Sequence, residues 1–468
     1  MHAPESRRAP YRVTLTLRHA LLCVIGVLSC FMGYEAIAGQ EPGNNPHPVH
    51  LNIPPAAPLT SVALLGKKLF FDPMLSASGR QACASCHSPE HHYGPPDASA
   101  VQLGGRQLQS QGFRAVPALT YLHQQPPFTI GPDLESVSGA ANLHAVANVH
   151  AVTASAQSGA RASKQAGVAP AVPALVPQGG LFWDGRADSM QQQALGPLLN
   201  PVEMANADAN EVASKLIHSA YRESFVQLFG PQILDDPQRL VMEAMFAIGR
   251  FEIEDVSFHP FTSKYDAWLQ GKAPLTIEEI RGFALFNDPK KANCAACHLS
   301  QVNADGSPPL FTDTQYEALA VPRNSTLTSN QDPHFFDLGV CGPFRVDVAK
   351  QTQYCGMFLT PTLRNVGQRS VFFHNGVYHT LKQVMDFYNL RSVAPEKIYP
   401  RDANGKLEMY DDIPEAYWAN VDTTDAPFDG RPGSQPVLSD QDVRDIIAFL
   451  HTLDDGYLTS TPSKPQTN

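Results

Sequence analysis

The sequence lacks an apolar run that is long enough for a transmembrane helix. Its most apolar stretch covers residues 20–33, whereas a helix that spans a bilayer needs about 20 apolar residues. The chain is also short of positive charge, because 34 lysines and arginines face 45 aspartates and glutamates and leave a formal net charge of −11. This acidity argues against nucleic acid or an anionic membrane as a partner. We therefore predict no membrane span in the mature form and no nucleic-acid partner.

Long alternations of apolar and polar residues, which are typical of strands, are also absent, and 40 prolines indicate much irregular structure. Helical signals are present instead. Thr276 with Glu279 and Ser439 with Asp442 are predicted capping boxes at helix starts. The second box is followed by apolar residues at helical spacing, namely Val443, Ile446, Ile447 and Leu450. The sequence therefore predicts a mainly α fold with long irregular loops.

Cysteine is scarce, with eight residues in the chain, but half of the cysteines belong to one pattern that occurs twice. QACASCH (81–87) and NCAACH (293–298) both contain C-x-x-C-H, which is typical of c-type haem attachment. The two thiols bind the haem covalently and the histidine becomes the proximal iron ligand. The pattern predicts two covalent haem c groups on Cys83, Cys86, Cys294 and Cys297, with His87 and His298 as ligands. The alternatives are two structural dithiols or one four-cysteine zinc site.

The N-terminus has the layout of a secretory signal peptide. Four arginines precede the apolar stretch, and Ala36-Ile37-Ala38 offers a cleavage site. We therefore predict that residues 1–38 direct export to the periplasm, which suits c-type haem. The alternative is a lipoprotein in which Cys30 accepts the lipid. In that oxidising compartment a disulfide between Cys341 and Cys355 is expected, and two buried free thiols are the alternative.

Several long motifs occur in order along the chain. They are LGKKLFFDPMLSASGRQACASCH (65–87), LFWDGRADSMQQQALGPLLNPVEM (181–204), CAACH (294–298), TPTLRNV (360–366), FFHNGVYHTLKQVMDFYN (372–389) and DIIAFLHTLDDGY (445–457). Together they resemble the bacterial di-haem cytochrome c peroxidase and MauG family. The resemblance implies two c-type cytochrome-like haem domains packed against each other. The N-terminal haem would react with hydrogen peroxide, and the C-terminal haem would pass or store electrons.

The length of the chain also favours two domains, because about 430 residues after export are too many for one core. We predict an N-terminal peroxidatic haem c domain over residues 45–263 and a C-terminal electron-transfer haem c domain over 264–460. Residues 124–180 are rich in Ala, Val, Ser and Pro and are interpreted as a low-complexity insertion. His144 and His150 lie in a short tandem repeat there. Ordinary surface positions are expected for both rather than a metal or docking role.

The resemblance implies roles for individual residues. Glu203 matches the acid–base glutamate of the family, and Gln193 matches its distal glutamine; a carboxylate above an open iron position can move the proton of a bound peroxide. Trp183 matches a tryptophan between the haems that can relay an electron, although a large aromatic is more often plain core. Arg114 and Arg364 are candidates for pairing with haem propionates, with surface salt bridges as the alternative.

Two departures from the family pattern concern the space around the haems. Many members place a histidine that blocks the peroxidatic iron where this chain has Gln107, so the peroxide site is expected to be open in the resting enzyme, as in MauG. Members also commonly hold calcium between the haems through an asparagine and a threonine. This chain has Ala115 and Arg369 at those places, and a guanidinium there could replace the charge of the ion. Calcium is therefore doubtful here, although backbone carbonyls could still contribute.

A third departure concerns the distal ligand of the second haem. Cytochrome c peroxidases use methionine, which raises the potential, whereas MauG uses tyrosine. The alignment puts Tyr388 at this position. Thr380 and Gln383 predict a capping box, and the helix that follows has Leu381, Val384, Met385 and Tyr388 on one face. Met385 is therefore the competing ligand, and plain core is the alternative for the whole face.

The sequence thus predicts a periplasmic, hydrogen-peroxide-dependent di-haem oxidoreductase of the MauG-like branch. Peroxide would be reduced at the first haem, with electrons passed through the second haem from a protein donor, either a small cytochrome c or a side chain of a specific target protein. One alternative is an ordinary cytochrome c peroxidase that detoxifies peroxide. Another is a non-catalytic di-haem electron carrier in which both irons are six-coordinate.

Overall fold

The computed structural model of the chain describes residues 43–133 and 174–457. The predicted signal peptide over residues 1–38, the alternative acceptor Cys30, and His144 and His150 lie outside the described residues. Within the two described ranges, no helix is both long enough and apolar enough to cross a membrane.

Helices dominate the described part of the chain, which confirms the mainly α prediction. The α-helices are α1 (Ser61–Phe70), α2 (Cys83–Cys86), α3 (Met190–Leu199), α4 (Ala209–Ile217), α5 (Arg222–Phe229), α6 (Pro237–Glu254), α7 (Lys264–Leu269), α8 (Ile277–Asn287), α9 (Leu381–Leu390) and α10 (Asp440–His451). Short 3-10 helices occupy Pro73–Leu75, Pro89–His91, Leu122–Gln124, Pro231–Asp235, Val256–Phe258, Cys294–Ala296, Thr328–Gln331, Thr352–Tyr354, Val366–Gln368, Pro395–Lys397 and Glu415–Asn420.

The strands are short and form antiparallel pairs. They are β1 (Leu103–Gly104) with β2 (Ser110–Gln111), β3 (Thr129–Pro132) with β4 (Leu175–Gln178), and β5 (Tyr316–Glu317) with β6 (Phe358–Leu359). The pair β3–β4 closes the two ends of the region interpreted as a low-complexity insertion. Phe128 and Ile130 pack against a buried cluster around Tyr316. The ends of the insertion are therefore ordered, because their apolar side chains contact the second half of the chain.

The first hydrophobic core forms where α1 crosses α6. It gathers buried residues between positions 65 and 258, among them Phe70, Phe251 and Phe258. Gly66 lies at the crossing, where a Cβ atom would stand 1.8 Å from the carbonyl oxygen of Ala247. A glycine at this position therefore lets the two helix backbones approach each other closely.

The second core repeats this arrangement with α8 and α10. A Cβ atom on Gly282 would stand 1.9 Å from the carbonyl oxygen of Asp445. The predicted capping boxes are confirmed at both helix starts, on Thr276 and on Ser439. The predicted apolar stripe also faces this core, with Val443, Ile446 and Leu450 buried and Ile447 partly buried.

Residues 43–53 precede the first core along the chain but contact the second one. Leu51 is buried in the second core, and the carbonyl oxygen of Gly43 accepts a hydrogen bond from Trp268 Nε1 at 3.0 Å. The backbone N–H of Val49 donates to Leu269 at 2.9 Å. The boundary between residues 263 and 264 stays a prediction, and this N-terminal segment crosses it.

Cys341 and Cys355 form a disulfide, as expected for an exported chain. Both residues belong to a small buried cluster that also contains Tyr316, Val340 and Met357. The disulfide closes a loop of the second half of the chain beside β5 and β6.

The helix crossing of the second core generates a stability prediction. Alanine is the better helix former, yet Gly282→Ala should lower the free energy of unfolding by about 1–3 kcal/mol, because the added methyl group forces α8 away from α10. Denaturant titration with matched haem content measures this change. Gly112→Ala is the control, because its Cβ would meet only Val202 Cγ2 at 3.6 Å. Equal stability of the two variants would contradict the close crossing.

Candidate functional site

The first C-x-x-C-H motif forms a single helical turn. Helix α2 holds Cys83 and Cys86, and the backbone N–H of His87 donates to the carbonyl oxygen of Cys83 at 2.9 Å. His87 Nδ1 lies 3.1 Å from the carbonyl oxygen of Tyr93. That contact leaves Nε2 available to a metal and fixes the ring orientation. Burial lowers the pKa of His87 to about 4, so the imidazole is neutral, as iron ligation requires.

The second motif has the same local geometry. A 3-10 turn holds Cys294, and the backbone N–H of His298 donates to the carbonyl oxygen of that cysteine at 2.8 Å. His298 Nδ1 lies 2.9 Å from the carbonyl oxygen of Phe311, and burial lowers the pKa of His298 to about 4. The two copies of the motif therefore orient their histidines in the same way, with Nδ1 beside a backbone carbonyl oxygen.

The thiols of both motifs fit covalent haem attachment. The structure contains no disulfide between Cys83 and Cys86 or between Cys294 and Cys297. Burial raises the pKa of Cys83 and Cys294 to about 12, and the charge of Glu252 adds to the rise at Cys83. The described residues offer no group of three or more His, Cys, Asp or Glu side chains that could hold a metal ion, which disfavours the four-cysteine zinc site.

A cavity surrounds the second motif and draws its walls from both halves of the chain. It is lined by Cys294, Cys297 and His298, by Tyr388 and Met385 of α9, and by Trp183 and Gln193 of the first half. The predicted capping box of α9 on Thr380 is confirmed. The structure therefore brings both candidate distal ligands, the tryptophan and the glutamine around one cavity.

Tyr388 and Met385 occupy this cavity differently. The Tyr388 ring stacks on Phe428 with 5.3 Å between centroids. Burial raises the pKa of its phenol, and the nearby Cys297 and Cys294 thiols add to the rise. Met385 is buried within the second core. Both side chains stand where the alignment expects the ligand, and the assignment to Tyr388 stays a prediction.

Glu203 lies in a turn directly after α3. Asn200 Nδ2 donates to Glu203 Oε1 at 2.5 Å. Gly104 of β1 rests on this turn, because a Cβ atom there would stand 2.3 Å from the carbonyl oxygen of Val202. Burial raises the pKa of Glu203, while the charge of Arg186 and the hydrogen bond from Asn200 oppose the rise. The carboxyl group is therefore held in a partly buried position with an elevated pKa.

The predicted site residues fall into two places. Burial raises the pKa of the Cys86 thiol, and the charge of Glu203 adds to the rise. Glu203 therefore lies near the first motif. Trp183 and Gln193 line the cavity of the second motif instead. Trp183 Nε1 donates to the carbonyl oxygen of Ala115 at 2.9 Å, which fixes the indole.

Arg114 and Arg364 both form salt bridges in the interior, whereas the alternative expected them on the surface. Arg114 contacts Asp337 and Asp184, each at 2.7 Å. Arg364 binds Asp266 through two hydrogen bonds of 2.8 and 2.9 Å. Each guanidinium has five N–H donors, so these bonds leave donors that can reach a propionate, and that role stays a prediction.

Arg369 stands at the contact between the two halves of the chain. Its Nη2 donates to the carbonyl oxygen of Val116 at 3.1 Å, and its Nε donates to Val371 at 3.2 Å. Burial lowers the pKa of Arg369 to about 10. Ala115 supplies only backbone groups here, with its N–H donating to His374 at 2.7 Å. A guanidinium thus lies where the family pattern places a calcium ligand.

Two neighbours of Glu203 escaped the sequence reasoning. Arg186 binds Asp184 at 2.8 Å and lies 3.6 Å from the Phe182 ring centroid. Asn200 is three residues before the glutamate, a spacing that suits a turn contact. The motifs FWDGR and NPVEM contain both residues, and the contacts of Arg186 with Asp184 and of Asn200 with Glu203 are local. Only the proximity of Arg186 to Glu203 depends on folding.

Several known proteins are similar to this chain. Residues 60–274 match the family of di-haem cytochrome c peroxidases. The methylamine utilization protein MauG of Paracoccus denitrificans is 31% identical over 401 residues, which cover 84% of this chain and 89% of that protein. The cytochrome c551 peroxidase of Nitrosomonas europaea is 28% identical over 367 residues, which cover 77% of this chain and 82% of that protein.

A solved structure extends the likeness to the fold. The diheme peroxidase BthA from Burkholderia thailandensis shares 35% sequence identity and a TM-score of 0.71, and the match covers 89% of this chain and 92% of that chain. The family match contains the first haem motif, and the match to BthA covers most of the chain. The chain therefore belongs to the di-haem cytochrome c peroxidase and MauG family, and it is a hydrogen-peroxide-dependent oxidoreductase with two covalently bound haem c groups.

Proposed function

We propose that this peroxidase belongs to the MauG-like branch and works in the periplasm. Peroxide is reduced at the N-terminal site around Cys83 and Cys86, and electrons arrive through the C-terminal site from a protein donor. The observation that carries this proposal is Tyr388, which lines the cavity of Cys294, Cys297 and His298. Because family members are enzymes, the non-catalytic electron carrier is not retained.

The haem on Cys83 and Cys86, when bound, supplies an iron with an open position at which peroxide can accept electrons. Glu203 moves the proton in this proposal. Its carboxylate takes the proton from one peroxide oxygen and returns it to the oxygen that leaves as water. The elevated pKa of Glu203 supports this role, because a proton shuttle needs a pKa closer to neutrality. The hydrogen bond from Asn200 fixes the position of the carboxyl group.

Gln193 and Trp183 are proposed to act between the two sites. Gln193 is 7% exposed and lines the cavity of the second motif, where its amide can donate a hydrogen bond to water. Trp183 is held by its bond to Ala115 and lines the cavity of the second motif. An indole fixed between the sites can relay an electron. A tryptophan that only fills the core would need neither the hydrogen bond to Ala115 nor a place in the cavity wall.

Export and the electron donor form the finer part of the proposal. The Arg-rich, apolar N-terminal segment and the disulfide between Cys341 and Cys355 support a periplasmic enzyme. The donor is either a small cytochrome c or a side chain of a target protein. Likeness to MauG favours the target protein, and Met385 as ligand would favour an ordinary cytochrome c peroxidase.

The first prediction tests the open peroxide site. The fully oxidised protein should react with hydrogen peroxide without prior reduction, because no histidine occupies the blocking position. Gln107 is exposed there, and its carbonyl oxygen accepts a bond from Arg80 at 3.5 Å. Stopped-flow spectra after mixing measure the rate. Gln107→His should slow the reaction until one electron is added. If the oxidised wild type does not react with peroxide, the open site is refuted.

The second prediction concerns Glu203. Glu203→Gln should keep both haems and slow the peroxide reaction by about 10²–10⁴-fold, because an amide cannot accept the proton. Glu223→Gln serves as the control, because that side chain is 71% exposed on α5. If the two variants react equally fast, Glu203 takes no part in the proton transfer.

The pH dependence gives the same test a second readout. Burial raises the pKa of Glu203, so the active carboxylate is lost as pH falls through a value above the ordinary glutamate pKa of about 4.3. The wild-type rate should therefore fall on this acid limb. Glu203→Gln should lack the limb, whereas Glu223→Gln should retain it.

The third prediction concerns the distal ligand. The wild type should lack the near-infrared band of His–Met ligation, and its second haem should have a low potential, because an anionic phenolate favours ferric iron. Tyr388→Phe should open that iron or recruit Met385, and either change raises the potential. Visible and near-infrared spectra during redox titration follow both effects. A His–Met band in the wild type would move the assignment to an ordinary cytochrome c peroxidase.

A further inference from the structure

Arg391 is a charged side chain in the interior beside α9. It follows the last residue of the helix, and its backbone N–H donates to the carbonyl oxygen of Phe387 at 3.0 Å. Its relative exposure is 0%. Removing a charge from water costs several kcal/mol unless an opposite charge or good hydrogen bonds compensate it. The question is which group compensates this guanidinium.

The hydrogen bonds of Arg391 do not supply a full negative charge. Nη1 donates to the carbonyl oxygen of Leu319 at 2.8 Å, and Nη2 donates to that of Asp422. Nε has no hydrogen-bond partner. The Asp422 carboxylate accepts bonds from Thr424 and Asp425 instead. Arg391 thus contacts the main chain of the aspartate rather than its carboxylate, and its Nε remains without a partner.

An aromatic ring connects Arg391 to Tyr388. The guanidinium carbon lies 3.6 Å from the centroid of the Phe428 ring, a distance typical of a cation–π contact. The Tyr388 ring stacks on the same phenylalanine. Charge interactions also link Arg391 with Tyr388, Tyr399, Tyr410 and Asp422. Of the three tyrosines, Tyr388 lines the cavity of the second haem motif.

We infer that Arg391 is a positioning residue that supplies the counter-charge for Tyr388 as an anionic ligand of the second haem. This inference rests on the proposed ligation by Tyr388. A phenolate ligand is anionic, and the hydrogen bonds of Arg391 end on neutral carbonyl groups, so the positive charge of Arg391 remains available to interact with that ligand. Arg391, placed one helical turn further and sharing Phe428, balances that charge without touching the iron.

A purely structural role is the competing explanation. A cation at the C-terminus of a helix interacts favourably with the helix dipole, and bonds to Leu319 and Asp422 fasten α9 to its neighbours. Under that explanation, removing the guanidinium weakens the fold whether or not Tyr388 is present. Under the proposed role, the effect of removal depends on the Tyr388 hydroxyl.

A double-mutant cycle separates the two explanations. The proteins are the wild type, Arg391→Met, Tyr388→Phe and the double variant, all with two haems per chain. The readouts are the phenolate-to-iron absorption band of the ferric protein and the thermal unfolding midpoint. Arg391→Met should reduce the band about fivefold or more, the size expected for interacting neighbours. Arg391→Lys should restore part of it, because the charge returns.

The shift of the unfolding midpoint caused by Arg391→Met should differ between the wild-type and Tyr388→Phe backgrounds. In the wild type, Arg391→Met should lower the midpoint, because the ligand loses its counter-charge. In Tyr388→Phe, the same change should leave the midpoint unchanged or raise it, because it removes an uncompensated buried charge. Arg401→Met is the matched control, since this exposed arginine lies in the same half of the chain, and it should leave the band and midpoint unchanged.

Two results overturn the inference in different ways. If the wild type has the phenolate band but Arg391→Met keeps it and lowers the midpoint equally in both backgrounds, Arg391 is structural and Tyr388 remains the ligand. If the wild type lacks the band, the proposed ligation by Tyr388 fails and the inference fails with it. Arg391→Gln replaces Arg391→Met in the cycle if the latter does not fold.

Discussion

Burial of positive charge is the constraint on which the architecture around the two haem motifs depends. Arg114 and Arg364 stand in the interior with aspartates as partners, whereas the hydrogen bonds of Arg369 and Arg391 go to backbone carbonyls. A carbonyl dipole compensates a guanidinium less completely than a carboxylate does. The haem groups bring propionates, and a phenolate ligand brings a further negative charge. Any anion that haem binding brings to these arginines would improve the electrostatics of the interior, and haem binding should stabilise the folded chain as any ligand of the native state does.

Local chemistry explains which parts of this structure could be predicted from the sequence. The capping boxes on Thr276, Thr380 and Ser439 depend on residues three positions apart, so the sequence alone locates those helix starts. C-x-x-C-H likewise carries its covalent chemistry within five residues. By contrast, the docking of residues 43–53 on the second core joins segments more than 200 positions apart. No local pattern encodes that contact, and the domain boundary between residues 263 and 264 stays a prediction.

The sequence predicted what kind of partner a charged residue needs, but not which group supplies it. The motif around Arg364 indicated a guanidinium that needs an anion, and both a haem propionate and Asp266 meet that description. The choice depends on α7, which carries Asp266 as part of its own capping box with Ser263. The same holds for Glu203, whose role follows from its motif but whose pKa depends on Arg186 and burial. Sequence reasoning therefore finds the ionisable groups of the site more readily than their electrostatic surroundings.

Helix α9 places its two candidate ligands in different surroundings. Met385 and Tyr388 share one face because they are three residues apart. Met385 is 4% exposed and belongs to the second core with Leu381, Val443 and Phe449, so using it as a ligand would remove apolar contacts from that core. Tyr388 instead packs against Phe428, where its ring is held in place and Arg391 supplies positive charge. The two candidate ligands therefore belong to different apolar clusters, and Tyr388, the proposed ligand, is the one whose cluster also contacts the Arg391 guanidinium.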